Sequence, residues 1–176
     1  MTEAIVIIVV VLFAALLIYA ATKPDLFRVW RAANIKAPPD RIFSLINDFH
    51  NWDAWSPYEK MDPAMKRNLS GTSRGKGAVY EWESNNSKAG IGRMEIVESS
   101  PPSRIAIQLD LTKPFEGHNI VEFTLEANGD ETNVIWDMHG TDPYIGKIMG
   151  IFCNRDNRVG KDFEEGLVNL KAIAER

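Results

Sequence analysis

Three histidines, His50, His118 and His139, are the residues best suited to general-base or metal chemistry near neutral pH. They lie far apart in sequence, and none has a second ligand at helical-turn or hairpin spacing, so neither a metal nor a cofactor is expected. His139 shares strand parity with Asp137, which predicts that the pair faces outward together. Ser44, Ser56 and Ser73 lack the Gly-x-Ser-x-Gly setting of a nucleophile elbow. The run Gly71-Thr72-Ser73-Arg74-Gly75-Lys76-Gly77 lacks the Gly-x-x-x-x-Gly-Lys-Ser/Thr order that cradles phosphate, and reads as a flexible loop. The single cysteine, Cys153, forms neither an intramolecular disulfide nor a Cys-x-x-Cys pair, and a lone thiol fits a reducing compartment. With 20 Lys+Arg against 24 Asp+Glu, the formal charge of -4 has the wrong sign for a nucleic-acid binder. No catalytic residue is assigned.

What remains is aromatic. Five tryptophans in 176 residues are enough to line a cavity as well as fill a core. Trp82 and Trp136 alternate with polar neighbours and are expected to point inward with Tyr80, Met94, Ile107 and Phe123. Such a set reads either as a ligand-facing wall with a few hydrogen-bonding tips or as plain core. Trp52 and Trp55 either flank the mouth of that cavity or form a hydrophobic plug. Met149 and Phe152 fall on one side of a helical pattern with Ile148, Val159 and Phe163, as the inner wall and lid or as a stripe packed on the sheet. The inward strand positions carry no Asp, Glu, His, Lys or Arg, which favours binding over acid–base catalysis.

The elements that position these residues follow from hydrophobic periodicity. A strand is predicted over Val29 to Ile35, and Ala37-Pro38-Pro39-Asp40 then opens a helix with Ile42, Leu45, Ile46 and Phe49 on one face, ending near Asn51. From Met65 to Thr141 the period becomes two. Strands are predicted over Val79 to Ser84, Ile91 to Glu98, Arg104 to Leu111, Asn119 to Ala127 and Thr132 to Thr141. Their short Pro- and Gly-marked connections favour an antiparallel meander. A long helix is predicted from about Pro143 to the end, with a break near Gly150. The fold class is α+β, with helix covering one sheet face.

Ahead of all this stands Ala4 to Ala21, 18 uninterrupted apolar residues that span about 27 Å as a helix. It has no polar face. A cleavable signal peptide would begin with positive charge and end in a small-x-small site, but the charge before the run is Glu3 and Tyr19 stands at -3 for a cut after Ala21. Residues 1–23 therefore read as a transmembrane anchor and 24–176 as one domain. Lys23, Arg28, Arg31 and Lys36 follow the run and no Lys or Arg precedes it, so the positive-inside rule puts the domain in the cytosol of a single-pass membrane protein. Phe27 and Trp30 read as an aromatic belt or as the start of the first strand.

The stretch Ala37-Pro38-Pro39-Asp40-Arg41-Ile42-Phe43-Ser44-Leu45-Ile46-Asn47-Asp48-Phe49, with Trp52 and Trp55 after it, resembles the START-like or SRPBCC superfamily. Gly77-Ala78-Val79-Tyr80-Glu81-Trp82 and Thr132-Asn133-Val134-Ile135-Trp136-Asp137-Met138 look like its polyketide-cyclase/dehydrase and lipid-transport branch. The resemblance covers about Phe27 to Arg176. It implies a helix-grip fold, a curved antiparallel sheet wrapped round a long C-terminal helix over an apolar cavity. The implied partner is a hydrophobic small molecule or lipid, and the implied alternative is a cyclase-like enzyme acting by positioning an apolar or aromatic substrate.

Overall fold

The computed structural model describes residues 2–152 and 154–176. Seven antiparallel strands form one sheet: β1 (Leu26–Ile35), β2 (Lys66–Gly71), β3 (Ala78–Glu83), β4 (Ile91–Ser100), β5 (Arg104–Lys113), β6 (Gly117–Asn128) and β7 (Glu131–Thr141). Their order is β1-β7-β6-β5-β4-β3-β2, so β2 to β7 make a meander and β1 closes on β7. Two register shifts in β4, at Ile91/Gly92 and Ile96/Glu98, bend the sheet where it curves. Period-two alternation gives it one apolar face and one charged face. The five strands read from alternation are present, each close to its expected limits. β2 was not legible, because every residue in it is exposed and an edge strand of that kind has no buried parity.

The described residues form five α-helices, α1 (Thr2–Ala21), α2 (Pro39–Ile46), α3 (Trp52–Trp55), α4 (Tyr144–Phe152) and α5 (Arg155–Ala174). α1 is long and apolar enough to cross a membrane, and its residues from Ile5 to Phe13 are all exposed. The expected helix through Asn51 ends instead at Ile46, followed by a 3-10 turn over Phe49–Asn51. Asp48 interrupts it by accepting from the His50 backbone N–H, a local bond that competes with helix continuation. Phe49 stays buried nonetheless.

The C-terminal pattern is broken into two helices, as the expected interruption implies. The break falls past Phe152 and not at Gly150, because Asn154 caps α5 by accepting from the Asn157 backbone N–H. Cys153 lies outside the described residues. α5 packs over β1 and against α2, α3 and the 3-10 turn at Pro57–Lys60, whereas α4 packs against α1.

Candidate functional site

Cross-strand register arranges the inner face in rows. One row runs Arg31, Trp136, Phe123, Ile105, and the next Val29, Met138, Val121, Ile107. Every residue of these rows except Arg31 is buried. Above them the helices add aromatic rings. Trp136 stacks on Phe163 of α5 at 4.1 Å between centroids, and Trp55 meets Trp136 edge-on at 5.5 Å. Trp52 lies 4.8 Å from Trp55 and 6.2 Å from Phe123. The two α3 tryptophans are held by their own N–H groups, Trp52 donating to the Ile46 carbonyl at 2.9 Å and Trp55 to the Leu45 carbonyl at 3.3 Å. Gly166 makes the closeness of α5 achievable, since a Cβ there would sit 2.5 Å from the Trp136 ring. This half of the concavity is filled by side chains.

The other half is open. The row Phe27, Gly140, Asn119, Leu109, Met94, Tyr80 crosses six strands, and beyond it lie Gly117, Leu111, Gly92 and Trp82. Leu109, Leu111, Met94 and Trp82 are half-buried, because the main contacts of α5 lie over β1 and not over β3 to β5, whereas Phe27 on β1 is capped by the Arg155 guanidinium of α5 at 4.1 Å. Trp82 donates to the Ala89 carbonyl at 2.9 Å, which pins its indole flat across Gly92. A Cβ on Gly92 would come 2.5 Å from that ring. The open rows lie at the end of the sheet where β1 begins, five residues after α1 ends.

Of the ten residues predicted to face a ligand, Trp52, Trp55, Ile107, Phe123 and Trp136 thus meet in the packed half, and Tyr80, Trp82 and Met94 share the open half. Met149 joins neither, being exposed on α4. The side chain of Phe152 lies outside the described residues. An opening of about 260 Å³ lies between Phe49, His50, Ala78 and the Leu69–Ser73 segment, beside the glycine-rich loop and away from the tryptophans.

Periodicity did not reveal the polar groups around these rings. Arg31 faces inward from β1, a strand outside the uncharged inward positions expected on β3 to β7, and its parity with Val29 and Ile35 is the available signal. It donates to Glu164 at 2.7 Å and to Asp156 at 3.1 Å, pinning β1 to α5, and these bonds hold Asp156 below the ordinary carboxyl range. Tyr80 donates to Glu59 at 2.6 Å, as does Arg67, which ties the Pro57–Lys60 turn to β2 and β3. Burial, together with the Asp162 carboxylate opposite, raises the Tyr58 hydroxyl, and burial raises Asp162 in turn. The Trp136 indole N–H and the Ser56 hydroxyl are buried with no hydrogen-bond partner among the described residues. His139 and Asp137 do face outward as a pair, bonded at 2.9 Å, with Arg28 on the same carboxylate.

The same architecture occurs in solved structures. Protein CV1439 from Chromobacterium violaceum superposes with a TM-score of 0.60 at 17% identity, covering 88% of this chain and 99% of its own. MLL2253 from Mesorhizobium loti gives 0.58 at 16% identity, over 84% of this chain and 96% of that one. DynU16, a protein of the dynemicin biosynthetic locus, gives 0.58 at 14% identity, with 85% of this chain matching 47% of it. At such identities the likeness is one of fold. No curated protein matches in sequence. The family model for polyketide cyclase/dehydrase and lipid transport, however, matches residues 27–175, from the first row of the sheet to the end of α5. A sheet curved around α5 over an aromatic interior, matched along its whole length, makes this chain a member of the polyketide cyclase/dehydrase and lipid-transport family.

Proposed function

We propose that the protein is a membrane-anchored module that binds a hydrophobic small molecule or lipid on the inner face of its sheet, with the domain on the cytosolic side. The observation that carries this reading is the half-open apolar surface of Trp82, Met94, Leu109 and Leu111, next to the buried aromatic rows. Apolar side chains left partly in water gain about 25 cal/mol per Å² when a ligand covers them. Met94 adds an adaptable, polarizable contact. A tether supports the reading, since it holds the site close to the bilayer into which such a ligand partitions.

The test is native mass spectrometry of the full-length protein purified with its lipids. A retained apolar ligand, displaced by an apolar fluorescent probe whose affinity falls in Trp82→Ala, is the expected result. Probe binding unaffected by Trp82→Ala and Met94→Ala would move the site off the inner face.

One observation favours a second reading, an enzyme of cyclase or dehydrase type. The family model that matches residues 27–175 covers polyketide cyclases and dehydrases as well as lipid transport, and an aromatic inner face suits the positioning of an apolar substrate.

A further inference from the structure

We infer that α4 is an interfacial helix whose apolar face lies in the bilayer that α1 spans, so that the domain docks on the membrane by a fixed surface. The inference rests on the anchor reading. Only Thr22 to Asp25 separate α1 from β1, and four residues reach at most about 14 Å, so the start of the sheet cannot leave the membrane surface. α4 is seated at the same level. The Tyr144 hydroxyl donates to the Leu17 carbonyl at 2.7 Å, and Leu17 lies four residues, about 6 Å, inside the end of α1. Leu16, Leu17 and Ala20 are covered where α4 packs, while the rest of the span is bare.

The composition of α4 matches that depth. Its nine residues hold one charged side chain, Lys147, and that ammonium turns back to the Asp25 carboxylate in the linker with its stem buried. Ile145 and Met149, one helical turn apart, lie on the opposite side and are exposed by 67% and 39%. Leu26, 70% exposed at the start of β1, and Tyr144 extend the apolar surface toward α1. In water this patch has no partner. Beside a spanning helix it is continuous with a surface that is itself in lipid. Lys23, held 4.5 Å over the Tyr19 ring, marks the headgroup level at which α1 emerges. An apolar face at that level with its charge turned away to the linker carboxylate is the geometry of a helix lying in the interface. Because the open rows of the inner face lie at this same end of the sheet, docking through α4 turns them toward the membrane.

The experiment uses the full-length chain carrying Cys153→Ser, with single cysteines at Ile145→Cys, Val9→Cys and Val168→Cys. Each is labelled with an environment-sensitive fluorophore and reconstituted in vesicles of mixed phosphatidylcholine and phosphatidylglycerol, with or without doxyl-labelled lipid. Val168, exposed on α5, is the aqueous control. Quenching at 145 by shallow doxyl lipid and at 9 by deep doxyl lipid, with none at 168, is expected. Quenching at 9 alone leaves the anchor standing and overturns the interfacial helix. A blue-shifted but unquenched label at 145 assigns the patch to a protein contact, such as a second copy, and also overturns it. Loss of quenching at both 9 and 145 removes the anchor reading and the inference together.

Discussion

Trp82 is the residue on which the ligand reading turns most sharply, because it is apolar, half-exposed and fixed in place by its bond to Ala89. Trp82→Ala should weaken binding of an apolar probe more than Glu83→Ala, since Glu83 is exposed on the opposite face of the same strand. Equal affinities in the two folded variants would show that the inner face at β3 is not the site. Gly92→Ala tests the same place from beneath. Its Cβ would displace the indole, with an expected loss of about 1–3 kcal/mol in urea unfolding and a parallel loss of probe affinity. At Asp162 the expected signal is pH dependence. Burial raises this carboxyl above its unfolded value, so the folded state holds its proton more tightly. Stability is therefore greatest from this group below about pH 4 and is lost as pH rises through the raised value. Asp162→Asn should remove that loss, so the variant gains on the parent between pH 4 and pH 7. A stability difference that does not change with pH would show that Asp162 titrates normally.

At the scale of elements, the sheet was legible and the helices were less so. Strands β3 to β7 each bury one parity against water, and alternation reports that directly. The edge strand β2 buries neither parity, and no signal existed to find it. The helical stripe from Ile145 to Leu170 runs at helical spacing through the break, because α4 and α5 are both amphipathic while packing on different partners. Periodicity shows that a face is apolar and is silent on what it faces. That is why Met149 fits a pocket-lining stripe by spacing while the structure places it exposed on α4, and why Arg31 gives no apolar signal among its inward neighbours. The signal for the break was Asn154, a capping residue with no periodicity of its own. Asn154→Ala should cost about 1 kcal/mol and raise amide exchange in the first turn of α5, leaving β5 to β7 unchanged. Equal loss of protection throughout the sheet would mean that the cap is not local.

For the whole molecule, the decisive question is whether the apolar N-terminal segment stays attached. Everything said of α4, the short linker and the placement of the open rows depends on a span that is not cut away. The 20-residue α1 is long enough to cross a hydrocarbon core, and it packs on α4 near Leu16, Leu17 and Ala20. Full-length protein should therefore remain in the membrane pellet through alkaline carbonate washing, whereas a chain beginning at Pro24 should be released into the supernatant. The released chain should keep a cooperative unfolding transition, since the family match begins at Phe27 and the aromatic core owes nothing to α1. It should also lose stability modestly, as Tyr144 loses its bond to Leu17 and the surface of α4 that packs on α1 meets water. On the proposed orientation, with the basic residues after the span on the cytosolic side, protease added outside intact cells should leave the domain uncut. Recovery of the full-length gene product without its first 21 residues would establish a cleaved signal peptide, reverse the compartment, and leave α4 as an apolar surface in need of a different partner.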